Sequence, residues 1–342
     1  MLYLHCLSFC FLLPLFEIQE LVYINNGTIE KLNGGLYQQI YDDLVGEADK
    51  KDESLSDFLY SMSAWQFASY LAQCFLIPTM VDEAKSDDEQ TLQFVEILKE
   101  LYDRTKTIEV LDFGAGNVRI GKCIELMLTD NIEVQNLIVG LKYHVYDKEG
   151  ISDKFQSNSA WRGGAYHTKE EINSARQKFH LVLLYNVLHE IGVDEWVEEL
   201  SFIMDSLTVE GYLIFGEREI LSVGEKPYGK SGYLVLGKEE LLKLFPKSRI
   251  EEIILPEREK TVTVCFAVKK PDTKDGYPNT ETVKAALHLL KKNTKDKIRN
   301  RNINGLGKKG HSRKYAFYCQ QYVNVEEAIE IMDNLEKETK TV

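Results

Sequence analysis

The stretch Ile108–Gly121, IEVLDFGAGNVRIG, decides the fold. Ile108–Phe113 is a short, largely apolar run with β-branched residues, and it predicts a buried parallel strand. The run ends in Asp112-Phe113-Gly114-Ala115-Gly116, after which Val118, Ile120, Cys123, Ile124 and Met127 recur at helical spacing. Strand, glycine turn and helix in that order build the ligand cradle of an open α/β sheet. Glycine lets the backbone approach a ligand because no Cβ stands in the way.

The chemistry of the turn selects among ligands. A dinucleotide fingerprint ends in Gly or Ala, for close helix packing beside a pyrophosphate. Counted from Gly114, that position holds Arg119. Asp112 stands two residues before the first glycine, where a carboxylate suits a cation and repels phosphate. S-adenosylmethionine, with its sulfonium and ammonium, fits this pattern better than a nucleotide.

The stretch resembles motif I of the class I S-adenosylmethionine-dependent methyltransferases, and the likeness continues in order through Lys270. Tyr143–Tyr146 reads as a second strand ending in Asp147, and Phe179–Tyr185 (FHLVLLY) as a fourth, running into Asn186-Val187-Leu188-His189-Glu190-Ile191. Gly211–Glu219 looks like strand five, and Arg249–Leu255 with Thr261–Val268 like the closing antiparallel pair. The resemblance covers about half the chain. It implies an α/β, doubly wound, mostly parallel seven-stranded sheet, with S-adenosylmethionine as cofactor. Cofactor-binding residues would be Asp112, Gly114, Gly116, Asp147 and Asn186, with Asp147 on the ribose hydroxyls. Val118 stands where many relatives have a third glycine, so a bulkier cradle wall is expected. Asp112 and Asp147 are 35 positions apart, against roughly 20 in the compact form, which predicts a longer helix or an extra loop.

Catalysis is expected just past the fourth strand. Asn186, His189 and Glu190 fall beyond its carboxyl end, where open sheets bind ligands. A hydroxyl acceptor must lose a proton, and histidine is the side chain suited to take it near neutral pH. HEIGVDEW resembles the small-molecule O-methyltransferases, in which a histidine at this place is catalytic; in other class I members it caps a turn. Glu190 and Glu217 are candidates for orienting the acceptor. The expected activity is methyl transfer to an O or N acceptor, a small molecule before nucleic acid. A cofactor-binding regulatory protein without turnover is the non-enzymatic alternative.

Composition narrows the rest. With 342 residues, 44% hydrophobic, the chain can bury a large core. Its six cysteines form no CxxC pair, so neither a disulfide framework nor a metal site is expected, and the simple reading is a reducing, cytoplasmic setting. No apolar run reaches the length of a membrane span. Leu2–Phe16 is apolar without a basic start, and reads as a packed element, or as a start codon placed too far upstream, before a secretory signal.

The expected organisation is an apolar segment 1–25, a helical region 26–105, a core 106–270, a linker 271–282 and a basic region 283–342. The helical region comprises Leu36–Leu44, an aromatic-rich Leu55–Ile77 and Thr91–Tyr102, with Asp82–Gln90 a solvated connection. After strand five, VGEKPYGKSGYLVLG reads as a flexible segment near the active edge, either a lid over the acceptor or a plain surface loop. Lys284–Lys314 carries eleven Lys and Arg against one acid, Asp296, in a chain of net charge −13. Such asymmetry hints at an anionic partner, and Tyr315, Phe317 and Tyr318 would supply base stacking if that partner were RNA or DNA.

Overall fold

The computed structural model describes residues 22–25, 28–31, 87–102, 107–148, 151, 161–176, 178–218, 234–255, 263–303 and 311–341. The chain divides into two compact units, residues 1–78 with 223–226, and residues 79–222 with 227–342. Of the first unit, a hairpin of β1 (Val22–Asn25) and β2 (Thr28–Lys31) is described. Asn26-Gly27 between VYIN and TIEK is the strongest short-range hairpin signal there is, and the helical expectation from residue 26 onward overlooked it. The helices expected at Leu36–Leu44 and Leu55–Ile77, the segment 1–21, residues 223–233 of the loop after strand five and the glycine-rich stretch 304–310 lie outside the described residues, while Leu234, Val235 and Leu236 at the end of that loop are buried.

The second unit runs α1 (Glu89–Tyr102), β3 (Ile108–Phe113), α2 (Arg119–Asp130), α3 (Ile132–Ile138), β4 (Leu141–Tyr146), β5 (Arg162–Tyr166), α4 (Lys169–Ala175) and β6 (Phe179–Tyr185). A 3₁₀ turn (Leu188–Glu190), α5 (Trp196–Ser206), β7 (Leu207–Arg218), α6 (Lys238–Leu244), β8 (Ile250–Glu252), β9 (Thr263–Lys269), α7 (Thr280–Ile303) and α8 (His311–Thr341) follow. The seven strands order β5-β4-β3-β6-β7-β9-β8, and β9 alone runs against its neighbours. The expected sheet is therefore present. The long connection between Asp112 and Asp147 is resolved as a second helix, α3, whose cap Asn131 accepts from the N–H groups of Glu133 and Val134.

Strand residues alternate between two apolar layers. Ile108, Val110, Tyr143, Val145, Leu181 and Leu183 pack with Phe94 and Leu98 of α1 and Ile124 of α2. Leu111, Phe113, Val182, Leu184, Leu213 and Phe215 pack on the opposite face with Trp196, Leu200 and Ile203 of α5. Burial on both faces is why these strands read as nearly continuous apolar runs.

The C-terminal region is built into that second layer. Val283, Ala286, Leu287 and Leu290 of α7, with Val325, Ala328 and Met332 of α8, belong to the same core as the sheet. The expected linker is also anchored: Pro271 and Tyr277 are buried, and the Tyr277 hydroxyl donates to Asp205 at 3.1 Å. Its polar composition comes from turns and caps, with Asn279 capping Thr282.

Candidate functional site

The glycine turn is shaped by its hydrogen bonds to β4. Gly114 N–H and Ala115 N–H both donate to the carbonyl of Tyr146, at 2.8 and 3.0 Å. Gly114 has φ 77° and Gly116 φ 48°, left-handed values that glycine adopts without strain. A Cβ on Gly114 would lie 2.7 Å from Val187 Cγ2, so that glycine is fixed by packing as well. Among the described residues, a Cβ on Gly116 would meet only the Asp147 carboxylate, at 3.9 Å.

Asp147 closes on the same turn. Its Oδ2 accepts from Gly116 N–H at 2.7 Å, and its own N–H donates to Tyr166 of β5 at 3.3 Å. The structure thus brings Gly114, Gly116 and Asp147 together at the carboxyl ends of β3 and β4.

Asp112 lies beneath this turn. It is on the strand face covered by α2, 4% exposed, and accepts from the hydroxyl of Tyr143. Burial pushes its carboxyl up to about 6, against the opposing pull of the Tyr143 hydrogen bond and of Arg119. Tyr143 is held protonated well above the ordinary phenol range, by its own burial first and the neighbouring carboxylate second.

Val118 also has its bulk turned away from the cradle. It takes the left-handed conformation, φ 57° and ψ 44°, with a buried side chain over Gly121.

Asn186 leaves β6 in the left-handed region, φ 56°, which Asn tolerates better than most residues. Its N–H donates to the Gly216 carbonyl at 2.8 Å, and its Nδ2 to Gln90 Oε1 at 3.1 Å. Gln90 was expected in a solvated connection, yet it and Glu89 are buried in the first turn of α1. Asp88 caps that helix, accepting from Thr91 N–H at 2.9 Å, and binds Arg119 Nη1 at 2.6 Å, while Arg119 Nη2 donates to Gln90 Oε1. Sequence reading missed this cluster; the signal available was the capping pattern Asp88-x-x-Thr91.

His189 and Glu217 form the second part of the site. His189 sits in the 3₁₀ turn after β6, and its Nδ1 lies 2.7 Å from Glu217 Oε2 of β7. Both side chains are wholly enclosed. Glu190 is half-buried, its N–H closing the turn onto the Val187 carbonyl at 2.9 Å. No cluster of His, Cys, Asp or Glu among the described residues is arranged to hold a metal ion.

No family model and no curated protein matches this sequence. Among solved structures, the chain is similar to the CurJ carbon methyltransferase (15% identity, TM-score 0.38, 78% of this chain and 80% of that one). It is similar to the mitomycin 7-O-methyltransferase MmcR (12% identity, TM-score 0.37, 69% and 68% covered). It is also similar to the 1,6-didemethyltoxoflavin-N1-methyltransferase of Burkholderia thailandensis, solved with 1,6-didemethyltoxoflavin and S-adenosylhomocysteine (13% identity, TM-score 0.37, 75% and 97% covered). Five parallel strands closed by an antiparallel β9 between β7 and β8, with a left-handed glycine turn after the central strand, give this chain the class I methyltransferase fold.

Proposed function

We propose that the chain is an S-adenosylmethionine-dependent methyltransferase acting on a small molecule, with a hydroxyl as the favoured acceptor. The observation that carries the cofactor reading is the closure of Asp147 on the N–H of Gly116, a glycine before which the described residues leave room. There a carboxylate can exchange its backbone partner for ribose hydroxyls, and no side chain of the described residues crowds the Gly116 Cα. The bound cofactor supplies an electrophilic methyl group on a sulfonium.

The chain's residues supply position and a proton acceptor. Glu217 holds His189 at Nδ1, which fixes the ring and its tautomer and leaves Nε2 as the nitrogen that takes the acceptor's proton. The enclosed position keeps bulk water from that nitrogen. Most of the rate would come from holding the acceptor oxygen in line with the methyl group. The pairing of Lys284 and Lys291 with acids of α8 speaks against nucleic acid as the acceptor.

Calorimetry should find binding of S-adenosylhomocysteine and none of NAD, and Gly116→Val should abolish it. With labelled cofactor and a metabolite pool, His189→Ala should lose about 10²–10⁴-fold in turnover while still binding cofactor. Tight NAD binding sinks the cofactor reading; an unimpaired His189→Ala reduces His189 to holding its turn.

A further inference from the structure

Between β4 and β5 one residue is set against two. Tyr143 pairs with Arg162 and Val145 with Ala165, so His144 alone spans Gly163 and Gly164. A bulge of this kind leaves a backbone group outside the ladder, and here the imidazole takes it: Gly164 N–H donates to His144 Nδ1 at 2.8 Å. A backbone N–H can only donate, so Nδ1 must offer its lone pair. The ring's one proton then sits on Nε2, which donates to Glu109 Oε2 at 2.8 Å, and the ring is neutral in this arrangement. The Tyr166 hydroxyl stands 3.4 Å from the same Nδ1, kept protonated above the ordinary phenol range by its burial first and by Glu109 second. Phe179 of β6 meets the ring edge-on. His180, its neighbour, faces Glu109 instead: its Nδ1 accepts from the Glu109 N–H at 3.0 Å, and burial holds it below the ordinary imidazole range.

Resting on the cofactor reading above, we infer that His144 is a proton-operated latch on β5 that couples cofactor affinity to pH. A proton arriving at Nδ1 turns that nitrogen into a donor, and Gly164 N–H loses its acceptor. The new N–H finds the Tyr166 hydroxyl oxygen, while Glu109 holds the imidazolium as an ion pair. The ring has partners in both states; only the strand is released. β5 matters to the cradle because the Tyr166 carbonyl holds the Asp147 N–H, and Asp147 in turn closes on Gly116. Cofactor and proton therefore oppose each other. Affinity is full above the imidazole titration, where the latch is closed, and falls below it. His144 acts on the cofactor through β5 alone, as a positioning residue.

Nuclear magnetic resonance of the full chain, labelled with ¹⁵N at glycine, follows the latch directly, and calorimetry with S-adenosylhomocysteine follows its effect. In the wild type the Gly164 amide should titrate between about pH 8 and 5, the range in which imidazole changes charge. Affinity should fall about 2- to 10-fold over the same range, the worth of one net hydrogen bond. His144→Asn offers Gly164 an oxygen near the Nδ1 position and removes the titrating group, so it should keep the high-pH affinity and lose the fall. Asp112 titrates at about 6 on the other face of β3; a fall that survives in His144→Asn belongs to it and overturns the inference. Tyr166→Phe removes only the partner of the charged ring, and should move the Gly164 midpoint to lower pH. An unmoved midpoint overturns the inference, and this variant decides alone if His144→Asn does not fold. A Gly164 amide that does not titrate in the wild type overturns it as well. A latch that titrates as stated, in a protein that binds no S-adenosylhomocysteine at any pH, sinks the cofactor reading instead.

Discussion

Val118 shows how a residue is retained against its own backbone preference. The left-handed conformation costs a non-glycine residue about 1–2 kcal/mol, while burying a valine contributes about 1.5–3 kcal/mol. Burial wins narrowly. In an ordinary buried backbone, Gly is worse than Ala by about 0.5–1 kcal/mol. At this position we expect Val118→Gly to be at least as stable as Val118→Ala in urea unfolding, because only glycine relieves the strain. The ordinary order, Ala above Gly, would show the strain to be negligible. Asp112 carries a second local cost. Its folded-state carboxyl titrates at about 6 against 3.8 for the ordinary group, so the native state holds the proton more tightly. Stability must then fall as pH rises from about 4 to about 6, by up to about 3 kcal/mol for this one group. Asp112→Asn, which still accepts from Tyr143, should melt higher than wild type at pH 7, with the gap closing toward pH 4. A constant gap across that range would remove the buried ionisation as its cause. Both residues were picked out by the sequence motif, but neither orientation was legible in it. The motif fixes spacing along the chain, whereas which face of β3 lies under α2 is a matter of tertiary packing.

Among the elements, β5 is joined to the sheet in an unusual way. Its register against β4 shifts between Tyr143 and Val145, and the gap is filled by the His144 side chain. Gly164 N–H donates to His144 Nδ1 at 2.8 Å, and the opposite ring nitrogen lies 2.8 Å from Glu109. A Cβ on Gly163 would fall 2.6 Å from three atoms of a ring that is tied at both nitrogens. Gly163→Ala should therefore destabilise by about 1–3 kcal/mol. Faster hydrogen exchange of the β5 amides would check it, and because Tyr166 holds the Asp147 N–H, cofactor affinity should weaken alongside. Unchanged exchange would mean that the ring moves freely after all. RGGAY carries too little apolar pattern to be recognised as a strand, and its pairing depends on a side chain twenty residues earlier. The central strands were legible because burial on both faces writes an apolar run into the sequence. The helix α1 was legible except for its first turn, where Glu89 and Gln90 are polar in sequence and buried in space.

At the scale of the whole molecule, lysines and acids from segments far apart in sequence pair across α7 and α8. Lys284 pairs with Asp333 and Glu336, and Lys291 with Glu326 while lying over the Tyr322 ring. Phe317 and Tyr318, expected to stack on bases, are buried against Val235, with Lys297 over the Tyr318 ring. Tyr315 and the lysines Lys308, Lys309 and Lys314 fall among residues whose side chains are not described. Basic and acidic segments far apart in sequence thus meet as antiparallel partners, which a linear charge count cannot see. On the small-molecule reading we expect no steep salt dependence of RNA binding in filter assays between 50 and 200 mM salt, since that dependence arises from counterions released at phosphate contacts. A loss of several orders of magnitude over that range would restore the nucleic-acid reading.

The placement of β9 between β7 and β8 has a consequence for how the protein is made. β7 leaves the ribosome with β6 already available on one side, but its other neighbour begins only at Thr263. At synthesis rates of about 5–20 residues per second, the nascent sheet waits on the order of seconds with an open backbone edge. Leu213 and Phe215 meanwhile lack the cover that α7 and α8 complete. Translation speed through residues 219–262 therefore sets how long a sticky intermediate lives. Slow codons there should raise the demand on chaperones, whereas slow codons after residue 332 should not.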